Sequence, residues 1–496
     1  MWKELKKLLR HTAVYGAGSL LAKLVGFLLI PFYTHYLRPN EYGTLELLDL
    51  TLSLIALLVN VWVTIPLVRF YYEFQDEAEK KKVVSTTLWA VAFIAMSVSS
   101  LALMFPRTIS VWLLKSPDYS YYIKVIAISF FLNCLNSVAW NYIRAKQRSG
   151  LIVSMNLCGM VLMLILNIFF VGYLKLGVLG VLYGSMIGTG TVTIVLIIQT
   201  IREVGLHFDW QKLRLLAAFG APLVFTNIGA FVLNFSDRFF LQHFSTVSVV
   251  GIYALGYKFG FMLSFLVIQP FSMIWSVRMY EIAEAQNAKQ IFSRFSAYFC
   301  LVLTSAAIGL SVVIKDVIGI MAAPDFRSAY HIVPLIALAY VFQGLAYYLQ
   351  TGMLIEKKTL YMGIMGFTGA VINIILNFLL IPTFKGIGAA WATALSFLAM
   401  AILAYAFSQR TYPIPYRLSK FCLPVLLGSA VYLISTTIKI PSLILAIPIK
   451  LLLIPVFWGA LYLLGFFDED EVAKAKSVLS TLIARYRWGA ATLPGS

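Results

Sequence analysis

Residues Gly16 to Gly43, GAGSLLAKLVGFLLIPFYTHYLRPNEYG, decide what kind of chain this is. The stretch opens with an apolar run of about twenty residues, enough to cross a bilayer core as a helix rising 1.5 Å per residue. Lys23 interrupts that run at mid-depth. Gly16, Ser19, Lys23 and Gly26 follow one another at helical spacing, so the lysine lies in a narrow stripe of small residues on one face. A lysine at the centre of a spanning helix costs roughly 2.5 to 3.5 kcal/mol on insertion scales, which turns that face toward protein or a wet cavity. Pro31 is expected to interrupt or kink the helix, and Pro39 with Gly43 to turn the chain into the next apolar run.

The same pattern of apolar runs extends over the whole chain. Of 496 residues, 60% are hydrophobic and 12% charged, and the mean hydropathy is +0.86, well above what a soluble domain needs. Windows of about twenty apolar residues predict about fourteen spans, at 12–36, 45–65, 84–104, 121–143, 151–172, 178–200, 213–235, 247–269, 291–314, 329–352, 359–381, 387–408, 421–438 and 443–466. The expected fold class is therefore an all-α polytopic membrane protein. The first run is too long for a signal-peptide core and no A-x-A site follows it, so it counts as a span.

The net charge of +18 is distributed by loop. With the N-terminus inside, the cytoplasmic connections and tails hold about 26 Lys and Arg, including Lys80 to Lys82 and Arg144, Lys146 and Arg148; the other side holds about nine. This bias predicts cytoplasmic termini and attraction to membrane lipid headgroups. It needs no nucleic acid as partner. Four cysteines, at 134, 158, 300 and 422, form no C-x-x-C pair and indicate neither a disulfide framework nor a metal site.

An internal similarity recurs at an offset of about 208 to 210 residues. Gly159–Asn167 (GMVLMLILN) answers Gly369–Asn377 (GAVINIILN), Lys175 answers Lys385, GVLYGS answers GAAWAT, and Gly43 answers Gly251. Six spans lie in each copy, so both enter the membrane in the same orientation, as parallel repeats do. The predicted organisation is an N-lobe of spans 1–6 (1–202), a cytoplasmic linker (203–212), a C-lobe of spans 7–12 (213–410), two appended spans (411–467) and an amphipathic cytoplasmic tail (468–496).

Several charges fall where a membrane protein places them only for a reason. Glu46, Asp49 and Asn60 share one face of span 2, with Glu46 read as near the outer interface and Asp49 a turn deeper. Span 7 carries Asn227, Asn234, Asp237 and Arg238, the last two readable either as interfacial or as functional. Lys258 in span 8 has a depth similar to Asp49 under the repeat. Lys23 and Lys258 are open to two readings, a cavity lining or pairing with Asp49 or a helix end. Lys124 and Lys450 read as snorkelling lysines. Asn167 and Asn377 read as interhelical hydrogen-bonding groups.

No phosphate-binding loop is present, since Gly-Lys never occurs, and no H-E-x-x-H, G-x-S-x-G or clustered Cys/His pattern calls for catalysis or a cofactor. Transport is the function class that remains. FLLIPFYTHYLRPNEYG, the fourteen spans and the Asn167 and Asn377 repeats resemble the Wzx-type polysaccharide flippases of the multidrug/oligosaccharidyl-lipid/polysaccharide exporter superfamily. That resemblance implies flipping of undecaprenyl-diphosphate-linked oligosaccharide across a bacterial inner membrane through a cationic central cavity, alongside polysaccharide assembly proteins. Lys23, Lys258 and Arg238 would then meet the substrate, and Asp49, Glu46 and Asp237 would be candidates for coupling to H+ or Na+. A lipid II flippase and a cation-coupled multidrug exporter share the superfamily and stand as alternatives.

Overall fold

The computed structural model describes residues 26–438, 440 and 443–473. Helix α1 covers 26–36 and is followed by α2 (Pro39–Glu73), α3 (Glu77–Met104), the short α4 (Pro106–Leu114), α5 (Ser120–Ala145), α6 (Ser149–Asn167), α7 (Val178–Val204) and α8 (Trp210–Phe244). The second half holds α9 (Val247–Leu263), α10 (Gln269–Ala283), α11 (Ala288–Met321), α12 (Val333–Leu349), α13 (Thr351–Ile355), α14 (Thr359–Thr411), α15 (Ser419–Thr437), α16 (Leu443–Leu451) and α17 (Leu453–Leu463). Among the described residues eleven helices are long and apolar enough to cross a membrane, or twelve with the two arms of α8 taken together. The first expected span lies outside the described residues up to position 25. Two other expected spans share the 53-residue α14, which is interrupted at Lys385.

Pro31 does not end its helix. Residues 26–36 are helical across it, and the Thr34 hydroxyl donates to the Ile30 carbonyl at 2.9 Å. The turn comes later, at Leu37 and Arg38, and Pro39 occupies the first position of α2, where a missing N–H costs nothing. Gly43 likewise makes no turn. It sits inside α2, where a Cβ would come within 2.1 Å of the Val247 carbonyl oxygen and 2.9 Å of the Gly251 nitrogen. The contact is reciprocal: a Cβ on Gly251 would meet the Pro39 carbonyl oxygen at 2.0 Å. Two helices can approach this closely only where neither carries a side chain.

The Lys175 and Lys385 regions have left-handed backbone, with φ of 53° and 50°. At Lys385 the pair φ 50°, ψ −127° resembles that of Gly177, at φ 57°, ψ −131°. Beside each turn a glycine lets the two arms close. A Cβ on Gly180 would meet the Phe170 backbone at 3.0 Å, and one on Gly388 would meet the Leu380 carbonyl oxygen at 2.4 Å.

Helix α8 bends by 43° between Val224 and Asn227. Its first arm packs on the first half: Leu216 is fully buried with Val63, Leu67, Phe70 and Val84, and Phe219 meets the ring of Phe70 edge-on at 5.9 Å. Lys212 pairs with Glu79 at 2.7 Å. A Cβ on Gly220 would lie 2.0 Å from the Trp62 carbonyl oxygen, so here too backbones touch. The second arm meets α14 through Ser236–Asn373 and α9 through Asp237–Tyr253, and it also reaches α2 of the first half through Arg238–Glu46.

The helical start of the tail is described only to 473. Asp468 precedes it, with its N–H donating to Glu471, while its carboxylate accepts from Arg417 at 3.0 Å and Lys420 at 3.3 Å. Burial pushes this carboxyl up, but the Lys420 and Arg417 charges and hydrogen bonds outweigh that and hold it below its usual value.

Candidate functional site

A chain of alternating charges joins α2 to α8 and α9. The Lys258 ammonium lies 3.2 Å from one Glu46 oxygen; the other Glu46 oxygen faces Arg238 Nε at 3.9 Å; Arg238 Nη1 then pairs with Asp237 at 2.6 Å. Helical spacing assembles it. Asp237 follows Asn234 by one turn less a residue, and the Asn234 carbonyl accepts a second hydrogen bond from Arg238 at 2.7 Å.

Tyrosines surround the charges. Tyr42, one turn before Glu46 on α2, accepts from Lys258 at 2.9 Å and places its ring 4.7 Å from the ammonium. Tyr253 donates to the remaining Asp237 oxygen. The Tyr257 ring stacks under the Arg238 guanidinium at 3.8 Å, and its hydroxyl shares a 2.8 Å hydrogen bond with Tyr340. An ion pair taken out of water needs its remaining hydrogen-bonding capacity met; the phenols do this for Asp237 and in part for Lys258, while Arg238 Nε, 3.9 Å from Glu46, has no hydrogen-bond partner among the described residues.

Exposure separates two roles. Arg238 and Asp237 retain 1% and 2% of their side-chain surface, and their hydrogen bonds end on protein. Neither lies at a solvated interface. Glu46, at 12%, is likewise no interfacial acid, since it bridges two cations from the other half of the chain. Lys258, in contrast, keeps 47% of its side-chain surface open. Asp49, one turn beyond Glu46, is exposed and makes no hydrogen bond or ion pair among the described residues. Lys23 lies outside the described residues.

The other intramembrane polar groups divide similarly. The Tyr33 hydroxyl donates to Asn167 at 3.1 Å, tying α1 to α6, and Asn167 donates to the Met163 carbonyl. Asn377 bonds within its own helix, to Asn373 at 2.9 Å; Asn373 in turn accepts from Ser236 on α8 at 3.2 Å, so Asn373 makes the interhelical link. Lys450 does not snorkel: it is 6% exposed and pairs with Asp316 at 2.6 Å.

Sequence reasoning brought Glu46, Asp237, Arg238 and Lys258 to notice but missed Tyr42, Tyr253, Tyr257 and Tyr340. The available sign was spacing. Tyr253 and Tyr257 stand one helical turn apart in an apolar run that also carries Lys258, and Tyr42 stands one turn before Glu46.

Residues 34–331 match the family model described as "Polysaccharide biosynthesis protein". An uncharacterized membrane protein of Methanocaldococcus jannaschii is 23% identical over 387 residues, covering 74% of this chain and 73% of that one. Among solved structures, the lipid II flippase MurJ in an inward closed conformation is similar over 91% of this chain and 99% of its own, with a TM-score of 0.75 at 15% identity. An inward-facing multidrug resistance MATE family transporter of the MOP superfamily covers 78% and 94%, with a TM-score of 0.63 at 12% identity. The matched region runs from α1 into the connection between α11 and α12 and so contains every member of the charged cluster except Tyr340. With its apolar helices and its MurJ- and MATE-like fold, this chain is a multi-pass membrane protein that belongs to the polysaccharide biosynthesis protein family.

Proposed function

We propose that the chain flips an undecaprenyl-diphosphate-linked oligosaccharide, a repeat unit of O-antigen, capsule or exopolysaccharide, from the cytoplasmic to the outer leaflet of a bacterial inner membrane. The observation that carries this reading is Lys258: a cation held in place by Glu46 and Tyr42 yet half open on one side. A diphosphate brings about two negative charges that hydrocarbon cannot solvate, and an ammonium can replace the lost hydration as a point charge. Arriving phosphate oxygens compete with Glu46 for Lys258, so binding loosens the link between α2 and α9. Lys23 supplies the second cation of the clamp. Arg238 and Asp237 act behind Glu46, fixing where its carboxylate stands.

In this scheme the two lobes, residues 1–202 and 213–410, rock about the binding site in alternating access. The reciprocal Gly43–Gly251 contact and the Glu46–Lys258 pair close one end, and Lys212–Glu79 with Gly220–Trp62 joins the first arm of α8 to the other. Asp49 is the coupling acid, taking H+ or Na+ beside the clamp. The positive-inside distribution supports cytoplasmic termini.

Flipping of a diphosphate-linked glycan in proteoliposomes tests the scheme. Lys258→Ala is expected to lower transport at least tenfold while the protein still folds, Lys258→Arg to keep part of it, and Asp49→Asn to remove its pH or sodium dependence. Full activity of Lys258→Ala would overturn the clamp.

A further inference from the structure

A polar cavity lies far along the chain from the charged cluster. It encloses about 570 Å³ where α11 ends, α15 ends and α16 runs past them, and its wall includes Lys315, Asp316, His331, Tyr432, Ser435 and Lys450. The Lys450–Asp316 pair is buried in this wall, with each side chain less than a tenth exposed. One N–H of the Lys450 ammonium reaches Asp316 at 2.6 Å; among the described residues no other acceptor meets it. Lys315 is exposed, with its ammonium 5.6 Å from the Tyr330 ring and no carboxylate beside it among the described residues. Burial first, and then the Lys315 charge, push the His331 imidazole below its usual value, so it is a neutral donor and acceptor at neutral pH. Two ammoniums therefore face one carboxylate, and the cavity carries an excess positive charge with hydroxyls around it.

An apolar groove of about 260 Å³ adjoins the cavity, sharing Ser311 and Tyr432 with it and continuing over Leu335, Leu338 and Val425. A further apolar groove of about 420 Å³ begins at the same Val425 and extends to Leu349 and Leu418 near the opposite end of α15. A ligand that fits both parts has a compact anionic head and long apolar chains.

We propose that this cavity binds the phosphate headgroup of a resident membrane phospholipid, with its acyl chains in the adjoining groove, at a site separate from the Glu46–Lys258 cluster. Lys315 makes the open ionic contact. Lys450 contributes its spare donors while Asp316 keeps its charge balanced, which accounts for an ion pair placed beside a groove where an apolar pair would be simpler to bury.

The full chain, purified and stripped of lipid in detergent, tests this by thermal unfolding in the presence of dihexanoyl phosphatidic acid, dihexanoyl glycerol or inorganic phosphate at constant ionic strength. Phosphatidic acid is expected to raise the midpoint saturably, and the neutral diglyceride is not. Lys315→Gln, at an exposed position, is expected to leave the unliganded midpoint unchanged and to weaken the apparent affinity about tenfold, as loss of one charge-assisted contact does. Asp316→Leu combined with Lys450→Met removes the buried pair without stranding either charge and is expected to weaken binding as well; Lys258→Ala is not. Wild-type affinity in both Lys315→Gln and the paired variant would overturn the site. So would equal stabilisation by the diglyceride. Equal affinity for inorganic phosphate would assign the cavity to a free anion and end the lipid reading, and loss of binding in Lys258→Ala would move the lipid to the central cluster.

Discussion

Gly43→Ala is a small change at a place that has no room for it. The new carbon would stand 2.1 Å from the Val247 carbonyl oxygen and 2.9 Å from the Gly251 nitrogen, against a normal carbon–oxygen separation of about 3.3 Å. Both obstacles are backbone within helices, so no side chain can swing aside. Helices α2 and α9 must move apart by about 1 Å, or the bundle must take up strain of about 1 to 3 kcal/mol, the usual cost of overpacking. Under the proposed alternating access, the same energy biases the equilibrium toward states in which this end is open, by roughly 5- to 150-fold. Spin labels on Asp118 and Thr246, exposed on either side of the Lys115–His243 contact, read the separation directly. Gly43→Ala and Gly251→Ala should each shift the distance distribution to longer values. Gly363→Ala is the matched control, because a Cβ there meets nothing within 4 Å. Distributions in both contact variants identical to wild type and to Gly363→Ala would refute the reasoning.

Other perturbations follow from the same geometry. Arg238→Ala leaves Asp237 buried with only Tyr253 against it and should cost about 3 to 5 kcal/mol in detergent thermal stability, most of it recovered by adding Asp237→Asn; a stable single variant would contradict the pairing. Lys385→Gly should stabilise the protein by about 1 kcal/mol in the same assay, since φ 50°, ψ −127° is a glycine conformation that a lysine side chain strains. The Asp468 carboxyl is held below its ordinary value of 3.8, so its ties to Arg417 and Lys420 contribute fully above 3.8 and fade as pH falls through the lower folded value. Proteolysis of the tail should therefore quicken only in strongly acid buffer, and Asp468→Asn should remove that pH dependence.

The helices were legible because hydropathy is local: about twenty consecutive apolar residues mark a span without reference to any other part of the chain. What those helices do to one another was not. Gly43 and Gly251 were matched by their offset, but a glycine beside Pro39 looks like a turn from sequence, and its contact with Gly251 lies more than two hundred residues away. Glu46 read as an interfacial acid for the same reason, its partners being Arg238 and Lys258. Lys450 looked like a snorkelling lysine because Asp316 is 134 residues distant. The tyrosines escaped notice because a phenol costs little to bury and so leaves no anomaly in an apolar run; only its hydrogen bond to a charge gives it a role. The Asn167 prediction fared better, since an amide inside a span must find a partner, and Tyr33 provides it.

The bend in α8 makes that helix a lever. Its first arm, Trp210–Val224, rests on the first half, while its second arm carries both the Ser236–Asn373 link to α14 and the Arg238–Glu46 link to α2, so a change of angle between Val224 and Asn227 moves the first arm relative to that junction. An arm of fifteen residues is about 22 Å long at 1.5 Å per residue. Each 10° of straightening at the bend therefore sweeps its far end, with the ammonium of Lys212, through about 4 Å. Added to the 2.7 Å Lys212–Glu79 separation, that stroke takes the pair beyond ion-pairing distance, so a modest angular change at the bend is enough to unlatch the end of the helix.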